Sequence, residues 1–269
     1  MDFETFLPIV DQLLEMGVGF TALQSKVIRA RKKDGTPVSN VDKTAQVFVT
    51  NFLKSVAPHI QVRGEEDLTH EPRSRIYWTI DPIDATRFYE ARRYEWCVSV
   101  ALVIDGVPRV GIILQPGRGE FVVAIEGKGA RFRTTYGPWQ IFERLSAINP
   151  MLIVPTSKSV LSNKMYTAQA VELTMCFEDT LSLPCVVAGF EVARGPAWGW
   201  TSIFEPYEWD IAASYVLIRE LGGVARCANG DQVPWGQDKM PPIIFTISTR
   251  EKTATIAWVL SEVKNRMCA

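Results

Sequence analysis

The chain has 269 residues, 47% of them hydrophobic, with thirteen Phe and eight Trp, enough for a sizeable core built without disulfides or a structural metal. A formal net charge of −1 leaves no basic field for a nucleic-acid polymer, and the two histidines, His59 and His70, exclude a His-rich zinc centre. Five scattered cysteines (Cys97, Cys176, Cys185, Cys227, Cys268) form no C-x-x-C pair and read as free thiols, so any metal site must be built mainly from oxygen ligands.

The acidic start, Met1-Asp2-Phe3-Glu4, is unlike a secretory leader, and apolar runs such as Val98 to Ile104 are too short for a bilayer. The expectation is a soluble, cytoplasmic protein with no membrane partner. Phe3, Phe6, Leu7, Val10, Leu13 and Leu14 recur at helical spacing and predict an opening helix that continues past Gly17 and Gly19 towards Arg31. Arg29, Arg31, Lys32 and Lys33 then read as cations favoured at that helix's C-terminal end. Asp34-Gly35-Thr36-Pro37 breaks it, and a second helix is predicted from Asp42 to about Lys54, with Ala45, Phe48, Val49 and Phe52 on one face.

Short β-rich runs follow at Ile60 to Arg63, Ile76 to Ile80, Cys97 to Ile104, Val110 to Leu114 and Phe121 to Ile125, with Asp105-Gly106 as a hairpin signal. The first half reads as two helices on a largely antiparallel sheet. Beyond Asn149-Pro150 the pattern alternates: a strand at Met151 to Val154, a helix from Asp210 to about Leu221, a strand at Ile243 to Ile247, and a closing helix from Lys252 to Lys264. The expected class is α/β, with an α+β lobe over residues 1–149 and an α/β lobe over 150–269.

Three acidic clusters stand at the ends of these elements: Gly64-Glu65-Glu66, Asp81-Pro82-Ile83-Asp84-Ala85-Thr86, and Trp209-Asp210-Ile211-Ala212-Ala213. Taken singly, each has an ordinary explanation: a solvated turn, an Asx-turn, and a helix cap. The second is the most informative, because Asp81 and Asp84 with the Ile83 carbonyl between them make an oxygen-rich claw of the kind hard divalent cations require. No G-x-S-x-G, P-loop or dinucleotide fingerprint competes with this reading.

In this order the clusters resemble the G-E-E, D-P-I/L-D-G-T and W-D-x-A-A motifs of the inositol monophosphatase superfamily, the lithium-sensitive, metal-dependent phosphatases. Pro37-Val38-Ser39-Asn40-Val41-Asp42, Gly127-Lys128-Gly129-Ala130 and the run from Leu217 to Gly223 resemble its P-V-T-x-x-D, G-x-G-A and L-I-x-E-A-G-G segments, so the likeness covers most of the chain. The resemblance implies a layered α-β-α-β-α fold, a homodimer, and Mg²⁺-dependent hydrolysis of a small phosphomonoester by two or three ions sensitive to Li⁺. It further implies that Glu65, Asp81 and the Ile83 carbonyl hold one ion, and that Asp81, Asp84 and Asp210 hold another. Asp42 and Thr86 would orient and deprotonate water, the N–H groups of Ala85 and Thr86 would cradle phosphate, and Glu66 would stand behind the ligands.

Departures from the family pattern bear on specificity. Ala85 replaces the usual Gly, which a helix start with negative φ tolerates and a positive φ does not. Gln46 stands where many members have Glu, and Leu183-Pro184 replaces a Gly-Ser. Arg87-Phe88-Tyr89 and Gln115-Pro116 lean towards histidinol-phosphatase-like members. Arg87, Trp198 and Glu205, with Ala85 and Thr86, are the candidate substrate contacts; Trp198 reads either as core or as an aromatic wall. The substrate stays open among inositol, histidinol, nucleotide and sugar phosphates. The alternative function is a catalytically weak metal- and phosphate-binding member with a regulatory or assembly role.

Overall fold

A computed structural model describes residues 1–32, 37–66, 71–143, 151–154, 163–176, 180–181, 183–195, 197–247 and 250–268. The expected lobe boundary at 149/150 and the break at 34–36 fall outside the described residues.

Helix α1 (Phe3–Leu23) is capped by Asp2, whose carboxylate accepts from Thr5 N. By length and composition the stretch Phe3–Lys26 could cross a membrane, yet Phe6, Val10, Leu13, Leu14 and Phe20 are buried in the protein core. The helix ends earlier than expected, in a 3-10 turn over Gln24–Lys26, and strand β1 (Arg29–Arg31) then pairs antiparallel with β2 (Pro37–Ser39). Arg29 and Arg31 are therefore strand residues rather than C-terminal helix cations, and Lys32 follows them; Lys33 lies outside the described residues.

Helix α2 (Asn40–Val56) starts two residues before the expected Asp42, because Ser39 caps it. Its buried face carries Val41, Asp42, Ala45, Gln46, Val49 and Leu53, while Phe48, expected inside, is exposed. Strands β3 (Gln61–Gly64), β4 (Ile76–Asp84), β5 (Cys97–Ile104), β6 (Val107–Gln115), β7 (Glu120–Ile125), β8 (Gly129–Thr134) and β9 (Gln140–Ile141) form one sheet in chain order, antiparallel except for β3 with β4. Asp105 and Gly106 join β5 to β6 with φ of 52° and 73°, the conformation a tight hairpin needs.

Alternation along these strands serves two cores at once. Val98, Val100 and Leu102 of β5 pack with α1 and α2, whereas Cys97 and Ala101 belong to the cluster on the opposite face. That is why β5 to β7 read as unbroken apolar runs. The opposite face is covered by α5 (Cys185–Arg194) and α6 (Glu208–Glu220). Contact there is close: a Cβ on Gly111 would sit 2.4 Å from the Ala213 carbonyl oxygen.

A second sheet, in the order β11 (Thr180–Leu181), β10 (Met151–Ile153), β12 (Ala197–Thr201), β14 (Ile243–Thr246), β13 (Val224–Cys227), lies on the far side of α5 and α6. Trp200, Ile243 and Phe245 face those helices, while Leu152 and Ile244 pack with α4 (Lys164–Cys176) and α7 (Arg250–Cys268). The order of layers is helix, sheet, helix, sheet, helix, as the sequence resemblance implied. The short α3 (Thr86–Glu90) closes the end of β4.

Candidate active site

Three elements converge where β3 and β4 end. Parallel pairing sets Gly64 beside Ile80, and Glu65 N donates to the Ile80 carbonyl at 3.2 Å, so the Glu65-Glu66 turn is bound to the strand that delivers Asp81. A Cβ on Gly64 would lie 2.1 Å from Gln46 Nε2, so any other residue there would displace that amide. Gln46 itself donates to Thr50 at 3.2 Å and accepts from Glu66 N at 3.5 Å. Its uncharged amide therefore braces the turn.

Register shifts between Asp81 and Asp84, which returns both carboxylates to one place. Asp81 accepts from Ile83 N at 3.0 Å, so the Asx-turn and the claw are the same structure. Helix α6 begins at Glu208, not Asp210; Asp210 is its third residue and reaches back to accept from Tyr207 N at 2.8 Å. One oxygen from each of Asp81, Asp84 and Asp210 lies within 4.8 Å of the others.

Burial, followed for Asp81 by the charges of Glu65, Asp84 and Asp210, pushes the pKa values of Asp81 and Asp210 well above the usual carboxylate range. Asp84 is pushed up to about 7, again chiefly by burial, against the pull of N–H groups from Val186 and Val187. Like charges this close repel by roughly 3 kcal/mol per pair at an effective dielectric of about 20. An all-carboxylate set, buried at Asp81 and Asp84 and partly exposed at Asp210, with that much uncompensated charge fits a hard divalent cation such as Mg²⁺ and suits soft or imidazole-seeking metals poorly.

Asp84 is held from the other side by α5: Val186 N donates to its Oδ2 at 3.2 Å and the Cys97 thiol lies 3.8 Å away. Pro184 caps that helix without a side-chain hydrogen bond. Beside the cluster, Thr86 Oγ1 donates to Asp42 Oδ1 at 2.8 Å, both residues being buried. The second oxygen of Asp42 accepts from the N–H and hydroxyl of Ser39. This fixes the carboxylate and leaves the Thr86 oxygen free to accept a proton.

Ala85 departs from expectation: its φ of 73° and ψ of 47° are left-handed, where an L side chain costs roughly 1–2 kcal/mol. Helix α3 has only 5 residues, so its dipole offers less to an anion than a full helix would. Arg87 is exposed beside Thr86, and Glu205 is exposed in the loop before α6. Trp198 lies in β12; its side chain is outside the described residues, whereas Trp200 is fully buried.

Sequence reasoning missed Lys32. Its ammonium lies 2.6 Å from Glu65 and 2.7 Å from Glu66, and these carboxylates hold it charged against the opposing cost of burial. Burial pushes the pKa of the Glu66 carboxyl up, and the hydrogen bond from Lys32 opposes that. Nothing in the local sequence distinguishes Lys32 from its basic neighbours, because its place depends on the β1–β2 pairing. Ser39 was missed as well, although Ser39-Asn40-Val41-Asp42 has the spacing of a capping box that could have found it.

The sequence model of the inositol monophosphatase family matches residues 9–262. Among curated proteins, the 3′(2′),5′-bisphosphate nucleotidase CysQ of Aggregatibacter actinomycetemcomitans is 30% identical over 75% of this chain and 76% of its own. The Nus factor SuhB of Xylella fastidiosa is 31% identical over 80% and 78%. Among solved structures, the Thermotoga maritima IMPase superposes with a TM-score of 0.79 at 21% identity, covering 99% of both chains. An IMPase/NADP phosphatase complexed with Mg²⁺ and phosphate gives 0.77 at 20%, over 93% and 94%.

Proposed function

The chain belongs to the inositol monophosphatase family, a family of phosphoric monoester hydrolases, and on that premise we propose that it hydrolyses a small phosphomonoester using Mg²⁺ held by its carboxylate cluster. The observation that carries this reading is the convergence of Asp81, Asp84 and Asp210 within 4.8 Å, beside the hydrogen-bonded Asp42 and Thr86.

Glu65, Asp81 and the Ile83 carbonyl would hold one ion, and Asp81, Asp84 and Asp210 a second. Ions so placed supply polarisation of the phosphoryl oxygens, acidification of bound water and neutralisation of the leaving alkoxide. The chain's own part is positional. Thr86 Oγ1, its proton committed to Asp42, accepts the proton of the attacking water as its own passes to the carboxylate. Ser39 keeps Asp42 in the orientation that receives it. Asp84 is oriented by the first N–H groups of α5, which are thereby turned towards the carboxylate. Arg87, Glu205 and Trp198 are the proposed contacts for the rest of the substrate, and Glu66 supports Glu65 from behind. The protein is expected to work as a soluble homodimer built from an N-terminal and a C-terminal lobe.

Among substrates, a 3′,5′-bisphosphonucleotide stands first, because the CysQ relative is named for that activity. The test is phosphate release from that compound, inositol 1-phosphate, histidinol phosphate, mononucleotides and hexose phosphates, with Mg²⁺, without it, and with Li⁺. Mg²⁺-dependent release from one class supports the reading and names the substrate. A second reading, a regulatory binding role, is favoured by the similarity to SuhB, named as a Nus factor. Silence across the panel from folded protein would move the account to it.

A further inference from the structure

Helix α6 meets the large sheet through three successive residues, and one of the three contacts is repulsive. Glu208, its first residue, accepts from the hydroxyl of Tyr77 on β4 at 2.8 Å, with the Glu208 side chain only 2% exposed. The carbonyl of Trp209 accepts from the hydroxyl of Ser99 on β5 at 3.2 Å. Asp210, the third, brings an oxygen within 4.8 Å of those of Asp81 and Asp84. The period of two along a strand puts Tyr77 and Asp81 on the same face of β4, and the register sets Ser99 directly beside Asp81. The contacts that draw α6 onto the sheet thus flank the place where like charges push it away. Glu208 is held from its other side too: Gly236 N donates to it at 3.4 Å, Arg73 Nε lies 3.8 Å away, and Asp238, which pairs with Arg73 at 2.6 Å, accepts from Glu208 N at 2.9 Å through its carbonyl.

We propose that Tyr77 is a positioning residue for the metal site: through Glu208 it holds Asp210 at its distance from Asp81 and Asp84, so that the ion shared by these three carboxylates meets its ligands already assembled. This rests on the two-ion reading above. Tyr77 acts at one remove, since its hydroxyl is bonded to Glu208, two residues before Asp210. A site ordered in advance loses less free energy to ordering when it binds, and groups that stand behind metal ligands set affinity by about 10- to 100-fold. Ser99 acts in the same way on the residue between, with a single neutral hydrogen bond to a carbonyl.

Mn²⁺ titration of the full chain, followed by the paramagnetic resonance of the free ion, reads the metal without turnover. Tyr77→Phe removes one hydroxyl and little volume. It should weaken one of the two bound ions by about 10-fold or more and leave the other unchanged. The Mg²⁺ concentration for half-maximal phosphate release should rise by a like factor, with kcat at saturating Mg²⁺ nearly kept. Asp210→Asn identifies the affected ion as the one it removes, and in that background Tyr77→Phe should not change binding of the ion that remains. Ser99→Ala should move the same ion in the same direction by a smaller factor, and it decides alone if Tyr77→Phe does not fold. Folded variants that melt lower yet bind both ions as wild type does would make these contacts structural only and overturn the inference; equal weakening of both ions would overturn it as well. Folded wild type that binds no Mn²⁺ would remove the two-ion reading itself, and this inference with it.

Discussion

Ala85 holds a left-handed backbone (φ 73°) that its Cβ disfavours, at the point where β4 gives way to α3. Glycine would relieve roughly 1–2 kcal/mol of strain, offset in part by the larger entropy of the unfolded chain. Ala85→Gly should therefore leave the Tm unchanged or a few degrees higher, without loss of turnover; calorimetry and phosphate release check both, and a lowered Tm would refute the strain. Thr86→Val should reduce kcat by about 10² to 10⁴, the range of a lost proton acceptor, while Mg²⁺ still stabilises the fold. Asp81 and Asp84 were legible at this scale as an oxygen-rich claw, whereas Asp210 reads locally as a helix cap and joins them only through the family likeness. Lys32 and the φ of Ala85 were not legible, because each is set by partners distant in sequence.

Helix ends orient the reactive groups. Ser39 Oγ accepts from Val41 N at 3.1 Å and Asp42 N at 3.3 Å while its own hydroxyl and N–H donate to Asp42. Ser39→Ala should cost about 1 kcal/mol of stability through the lost cap and lower kcat about tenfold by loosening Asp42, measured by melting and steady-state rates. A stability loss with unchanged kcat would confine Ser39 to the cap. Among elements, β4 to β7 were legible because long apolar runs bounded by turn residues can bury both faces. Helix α5 was not, since Val186 through Ala193 are all buried and a short, mostly apolar run of this length reads as a buried strand as readily as a helix. Helix α6 was displaced by two residues because Asp210 serves as the third residue of a capping box, whereas sequence alone reads an Asp there as the cap.

The whole fold is a clamp that forces like charges together: Asp81 and Asp84 from the large sheet meet Asp210 from the central helix layer. Without divalent ions, Asp84 binds its proton up to about pH 7 when folded but only to about pH 4 when unfolded. The folded state binds more protons between those values, so ion-free stability should fall as pH rises through that window and be higher near pH 5 than near pH 8 by more than about 1 kcal/mol. Denaturant melts in EDTA check this, and a rise with pH would contradict it. At a hundredfold excess over its dissociation constant, Mg²⁺ should add about 2.7 kcal/mol, a Tm increase of roughly 5–10 °C, which chelation removes. The layer order was legible only through the family likeness, because which helices lie between the two sheets depends on contacts that no local pattern encodes. The central claim is tested most directly by Mg²⁺-dependent phosphate release from wild type and Asp84→Asn, using the most active substrate of the panel. Asparagine keeps an acceptor for Val186 N and nearly the same volume, so the account predicts a folded variant whose Mg²⁺-dependent release is abolished; full activity in that variant would contradict it.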